Sequence, residues 1–220
     1  MLKKLLTMFV FSLMATGAFA QTTVNVTDGD IVGDVTWTAN NIYVLDGFVF
    51  VEDGETLTIE PGTVVKGKPG QAENSSALIV AQGGKIFANG TPAKPIIFTA
   101  EADNLNGNLP LDTRGLWGGV IVLGKATINT ATGVGQIEGI PSTEPRGAYG
   151  GNDDTDNSGV IRYVSIRYGG TDIGEGNEIN GLTMAGVGSG TRIEYVEVFN
   201  NKDDGFEWFG GTVNCKYLVS

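Results

Sequence analysis

The chain has 220 residues, 14 of them basic and 25 acidic, for a net charge of −11. That balance argues against nucleic acid and anionic membranes as partners and favours cations. It holds no histidine, one cysteine and 34 glycines. Ser-His-Asp hydrolysis, Cys-His proteolysis and the usual zinc chemistry are therefore excluded for this sequence, and glycine at this density without a three-residue period marks many tight turns.

Residues 1–20 read as a cleaved secretory signal. Lys3 and Lys4 form a positive start, 5–19 is mostly apolar, and Ala18-Phe19-Ala20 gives a small-x-small cleavage pattern before Gln21. The apolar run is short for a membrane span, and no cysteine follows the site to carry a lipoprotein anchor. The expectation is a secreted or cell-surface protein with no membrane span after cleavage. The remaining 200 residues carry 12 basic and 25 acidic side chains, net −13, and suffice for one substantial domain. With Cys215 alone there is no internal disulfide, so the core and the backbone ladders must hold the fold. Cys215 itself reads as a small buried hydrophobe in a strand.

Residues 21–40 read as a lead-in that caps the first coil. Short β-branched and aromatic runs follow at 42–45, 48–51, 57–59 and 63–65. Within LTIEPGTVVKGK (57–68), Pro61-Gly62 breaks the first run at once: proline presets the second turn position and glycine supplies the positive φ of the third. Further runs stand at 77–80, 85–88 and 95–99, then a polar stretch at 101–113, then 116–123 and 125–129. A longer Gly-rich stretch fills 130–158, and runs resume at 160–168, 181–185, 192–199, 205–209 and 212–219. No amphipathic helix of useful length appears. Long loops in compact folds are usually functional or disordered.

The runs repeat in kind. IRYVSIRY from Ile161 matches IEYVEVFN from Ile193 at an offset of 32 residues, IEYVEV matches CKYLVS from Cys215 at 22, and GLTM from Gly181 matches GFEW from Gly205 at 24. Repeats near two dozen residues, each with two or three short strands, predict an all-β solenoid whose coils stack at about 4.8 Å. A sandwich or jelly roll would favour two-residue hairpins instead. A solenoid needs a terminal cap, and the strand-like run at Ser220 has none, so the expectation is a β-helix over 41–220 continued in a longer protein.

The runs LTIEPGTVVKG, RGLWGGVIVLGKATIN, DDTDNSGVIRYVSIRYGG, NEINGLTMAGVGSGTRIEYVEV and DDGFEWFGGTVNCKYLV resemble exported right-handed parallel β-helix proteins of pectin-lyase-like fold, common in Bacteroidota and other aquatic bacteria. The resemblance covers roughly 42–220 and implies the fold, but no defined reaction. It also implies that a C-terminal sorting domain for type IX secretion, or adhesion modules, often follow.

Four constellations could carry chemistry. In DTDNSG, Asp154, Asp156 and Ser158 alternate before Gly159, with Asp153 and Asn152 beside them, as oxygen ligands do in a calcium loop; calcium is the cofactor this loop would take. The EF-hand pattern fails at its twelfth position, Ser165. Asp203 and Asp204, with Glu207 nearby, form an acidic corner of the kind that divides acid and base roles in glycoside hydrolysis, or a turn in which Asp side chains bond nearby amides. Arg167, with Arg162 and Arg192, could serve as the base of a calcium-dependent lyase. Strict alternation, however, puts Arg162 and Arg167 on opposite faces, where pairing with Glu194 and Glu197 on the next coil is the plainer expectation. Trp117, Tyr149, Trp208 and Phe209 could stack on sugar rings if exposed, or pack in the core where glycine pairs let backbones approach. GVGSG (186–190) lacks the ending and helix of a phosphate loop.

The expected function is a non-enzymatic exported β-helix binding a glycan or cell-surface ligand, with calcium ordering the acidic loop. The alternatives are a lyase or hydrolase of acidic polysaccharide using Asp203, Asp204 and Arg167, and a structural stalk for a further domain.

Overall fold

The computed structural model describes residues 21–71, 74–174 and 177–220; the expected signal at 1–20 lies outside them. The chain winds as a right-handed parallel β-helix with three faces per coil. β1 (Thr22–Val26) opens the second face. One coil then runs β2 (Asp34–Trp37), β3 (Asn41–Leu45), β4 (Phe48–Val51), one strand per face. The next runs β5 (Thr56–Ile59), β6 (Val64–Gly67), β7 (Ala77–Val80), and the third runs β8 (Lys85–Asn89), β9 (Ile96–Ala100), β10 (Val120–Leu123). An excursion carries the antiparallel hairpin of β11 (Val134–Gln136) and β12 (Ala148–Gly150). β13 (Gly159–Arg167) then covers the first and second faces in one strand. A small antiparallel pair, β14 (Asp172–Gly174) and β15 (Asn177–Glu178), follows, and β16 (Leu182–Ala185) takes the third face. β17 (Arg192–Phe199), β18 (Phe206–Phe209) and β19 (Asn214–Val219) repeat that plan. Residues 21–40 thus supply strands: β1 pairs with β3, and β2 with β5.

Corners of more than one kind join the first and second faces. At Pro61-Gly62, Gly62 has φ 86° and Thr63 N donates to Glu60 O at 3.2 Å, closing the turn that proline and glycine predict. From β13 onward one residue suffices. Tyr163, Tyr195 and Tyr217 have φ of 48°, 55° and 57°, and each bends its strand without ending it. The N-terminal part of β13 accordingly pairs with β8 and its C-terminal part with β9. Strict alternation therefore fails at Tyr163: Ile161, Val164 and Ile166 are the buried hydrophobic positions.

Parallel register stacks like residues. On the third face Val49, Leu78, Val120, Leu182 and Phe206 align, as do Val51, Val80, Val122, Met184 and Trp208; the buried members line the coil interior. The opposite side of that sheet is also apolar. Phe50, Ile79 and Ile121 align there, and Ile128, Ile137, Ile140 and Tyr149 cover them in a second core. The long 130–158 stretch is thus a lid packed across the third face. Arg146 fastens it, pairing with Asp28 at 3.0 Å, Glu52 at 2.8 Å and Glu144 at 2.7 Å while lying 3.8 Å over the Phe50 ring. The 125–129 run forms no strand; Lys125 O and Thr127 N instead bind the 153–154 turn. The 101–113 stretch folds around buried Asp103, which accepts from Thr99 Oγ1 and Leu105 N.

Candidate functional site

An acidic cluster forms where the lid meets the last strand of the third face. The outer ladder Phe50, Ile79, Ile121 continues through Thr183 to Glu207, so an in-register carboxyl ends an apolar row. Glu138, carried in from the lid, lies near enough for its charge to raise the Glu207 carboxyl. Asn180, only 2 % exposed, donates through Nδ2 to Glu207 Oε2, and its Oδ1 has no partner. Tyr149 is close enough that the Glu138 and Glu207 charges raise its phenol above the ordinary range, after burial.

The electrostatics follow from this crowding. Burial, then Glu138, Asp204 and Asp203, push the Glu207 carboxyl up to about 7. Burial and Asp203 raise Glu138 as well. Like charges crowded together disfavour full ionisation, so Glu207 exchanges its proton near neutrality. Lys202, the nearby cation, lies 3.7 Å from both Asp172 and Glu178.

The sequence-predicted residues are placed unevenly around this cluster. Asp203 and Asp204 stand at the corner before β18 and charge the site, and Asp204 O accepts from Asn201 Nδ2 and Gly181 N. Arg167 does not join them: its Nε donates to Ser165 Oγ, which donates to Glu197 Oε2. Arg162 Nε lies 3.6 Å from Glu194 Oε2, so both arginines serve the coil-to-coil ladder. The expected calcium loop carries its own internal hydrogen bonds. Asp153 Oδ1 accepts from Thr155, Asp154 Oδ1 from Thr127 N, and Asp156 Oδ2 from Ser158 Oγ. Each of the three carboxylates accepts from a donor within the turn or the adjoining 125–129 segment. Among the described residues no group of three acidic, Cys or His side chains is disposed to hold a metal ion.

The aromatic residues that could stack on sugar rings or pack in the core are placed differently from one another. Trp117 is fully buried, donates to Arg167 O at 2.7 Å, and fills the space left by Gly67, where a Cβ would lie 2.5 Å from the ring. Tyr149 is buried in the lid core against Phe209. Trp208 is 47 % exposed, but it sits on the interior row of the last third-face strand, in register with Met184. Cys215 is partly buried beside Met184, 3.7 Å between sulfurs, and burial raises its thiol.

The acidic corner with Glu207 was visible in the sequence. Glu138 and Asn180 were not, because only the lid and the β15–β16 connection bring them there. A family model described as a pectate-lyase-like beta helix domain matches residues 29–220. No curated protein and no solved structure matches the chain. Repeat register, three-faced coil and family match agree, and the chain belongs to the pectate-lyase-like beta-helix family.

Proposed function

We propose that the protein is an exported, non-enzymatic β-helix that binds a hydroxyl-rich saccharide without negative charge at Glu138, Glu207 and Asn180. The carboxyl pair carries the reading. A carboxyl that keeps its proton near neutrality, neighbouring carboxylates and a free amide oxygen set donors and acceptors side by side, the pattern that sugar hydroxyls meet. Acidic polysaccharide is disfavoured, because Glu138, Glu178, Asp203, Asp204 and Glu207 crowd one region and Lys202 is already engaged. Export is supported by the signal-like residues 1–20.

One observation favours a second reading, glycoside hydrolysis: Glu207 keeps its proton near neutrality, as a general acid does. The geometry weighs against it. Hydrolases hold their two carboxyl groups about 5 to 9.5 Å apart to admit the sugar and, in inverting enzymes, the attacking water, whereas Glu138 and Glu207 lie close enough that the charge of one shifts the other. The test is calorimetric titration with neutral, amino and acidic oligosaccharides, run beside an assay for reducing and unsaturated ends. The expected result is binding of neutral or amino sugars, weakened in Glu207→Gln, with no product. Binding of polygalacturonate alone, or release of new ends, would overturn the reading.

A further inference from the structure

We propose that Asn106-Gly107, in the 101–113 stretch, is a covalent modification site, where the asparagine closes to a succinimide and reopens as aspartate or isoaspartate. The chain holds three Asn-Gly pairs, at 89–90, 106–107 and 180–181. Glycine favours this reaction because no Cβ blocks its nitrogen from the preceding side chain. The nitrogen must also be free and have room around it, and the fold leaves both at one pair of the three. Gly90 N donates to Arg162 O at 2.8 Å, and Gly181 N to Asp204 O at 3.0 Å. Both glycines are buried, and a Cβ would collide with Tyr163 O at Gly90 and with Val198 Cγ1 at Gly181. Asn180 is itself 2 % exposed, with its Nδ2 spent on Glu207. Asn106 and Gly107 are exposed instead, and a Cβ on Gly107 meets nothing within 4 Å. Neither Gly107 N nor the Asn106 side chain has a hydrogen-bond partner among the described residues.

Gly107 N gives up its proton and attacks Asn106 Cγ. The N–Cγ bond forms, the Cγ–Nδ2 bond breaks, and the amide nitrogen leaves with that proton as ammonia. Water then opens the ring. Addition at Cγ yields aspartate; addition at the backbone carbonyl yields isoaspartate, whose main chain runs through Cβ and Cγ. The only co-reactant is water, and either product carries one more negative charge. The surrounding bonds give the change a structural consequence. Asn104 N donates to Asn108 Oδ1 at 2.9 Å, and Asn108 Nδ2 to Ala102 O at 2.9 Å, so the chain before residue 106 is pinned to the chain after it. An extra main-chain carbon at 106 breaks that pinning. Buried Asp103, with its bonds to Thr99 Oγ1 and Lys66 Nζ, lies before the altered residue and persists. The site does not depend on saccharide recognition.

The test incubates the whole protein and Asn106→Gln at mildly alkaline pH, where loss of the glycine amide proton is favoured. Digests are then read by mass spectrometry, with fragmentation that separates isoaspartate from aspartate. Conversion at Asn106 is expected on the order of tenfold or more faster than at Asn89 or Asn180, whose glycines react only after the ladder opens. Isoaspartate should be among the products. In urea, with the ladder gone, the three sites should convert within about threefold of one another. Equal rates at the three sites in the folded protein, or aspartate without isoaspartate, would overturn the proposal. Asn106→Gln should show no isoaspartate in that peptide; its presence would assign the signal to a neighbouring residue and sink the site. In the isoaspartate form, the Asn104 amide should exchange on the order of tenfold faster than in fresh protein. Unchanged exchange would contradict the loss of pinning.

Discussion

At the scale of single residues, Glu207 matters because the ladder it ends is apolar. Phe50, Ile79 and Ile121 bury their side chains under the lid, and the same row then presents a carboxyl beside Glu138. Its proton is held to about 7 against an ordinary 4.5, so the folded state binds more protons than the unfolded chain between those values. Stability therefore falls as pH rises from about 4.5 through about 7, and Glu207→Gln should flatten that slope. Urea unfolding at pH values across the window reads it directly; an unchanged slope in the variant would contradict the assignment. Gly67 gives a second residue-level prediction. An alanine there meets the Trp117 ring at 2.5 Å, and overpacking of this kind costs about 1 to 3 kcal/mol. A Gly67→Ala protein as stable as wild type would mean that Trp117 is free to move. Asp203, Asp204 and Glu207 were legible as an acidic corner because they are neighbours in sequence. Glu138 was not: it lies 69 residues before Glu207, on a stretch with no pattern of its own.

At the scale of elements, the tyrosine corners explain how three strands turn without breaking. Tyr163, Tyr195 and Tyr217 occupy equivalent places on successive coils, with ring centroids 4.5 and 4.4 Å apart and planes nearly parallel. Stacking offsets the strain of a left-handed backbone at non-glycine residues. Tyr195→Asn keeps a residue that tolerates that conformation and removes both stacks, so a loss of about 1 to 3 kcal/mol is expected in chemical denaturation. A loss near zero would make the ladder ornamental. The recurring tyrosine was visible in the repeats, but its backbone was not, and alternation was carried across a residue that reverses it. The lid supplies another test. Arg146 joins it to Asp28, Glu52 and Phe50, and holds Glu144 down at about 2. In Arg146→Ala, backbone amides of β11 and β12 should exchange on the order of tenfold faster than in wild type. The depressed Glu144 also means that its stabilising pairing is present above about 4.5 and lost as pH falls toward about 2.

At the scale of the whole molecule, the repeat offsets were the informative signal. Ile161 pairs with Ile193 and Ile193 with Cys215, the 32- and 22-residue spacings of the sequence, and Leu182 pairs with Phe206 at 24. Parallel stacking places like residues over like, so sequence similarity and spatial register are one property here. The lid escaped that logic because it is a single insertion with no repeat partner, and the sequence offered only its length. With it went the site, which exists only where the lid crosses the outer face of the third sheet. The most direct measurement is therefore a carboxyl-carbon NMR titration of Glu207 in the wild type and in Glu138→Gln. A midpoint near 7 that falls in the variant is the predicted result, because a neutral amide removes the opposing charge. A Glu207 midpoint near 4.5, unaffected by Glu138, would contradict it and separate the lid from the site.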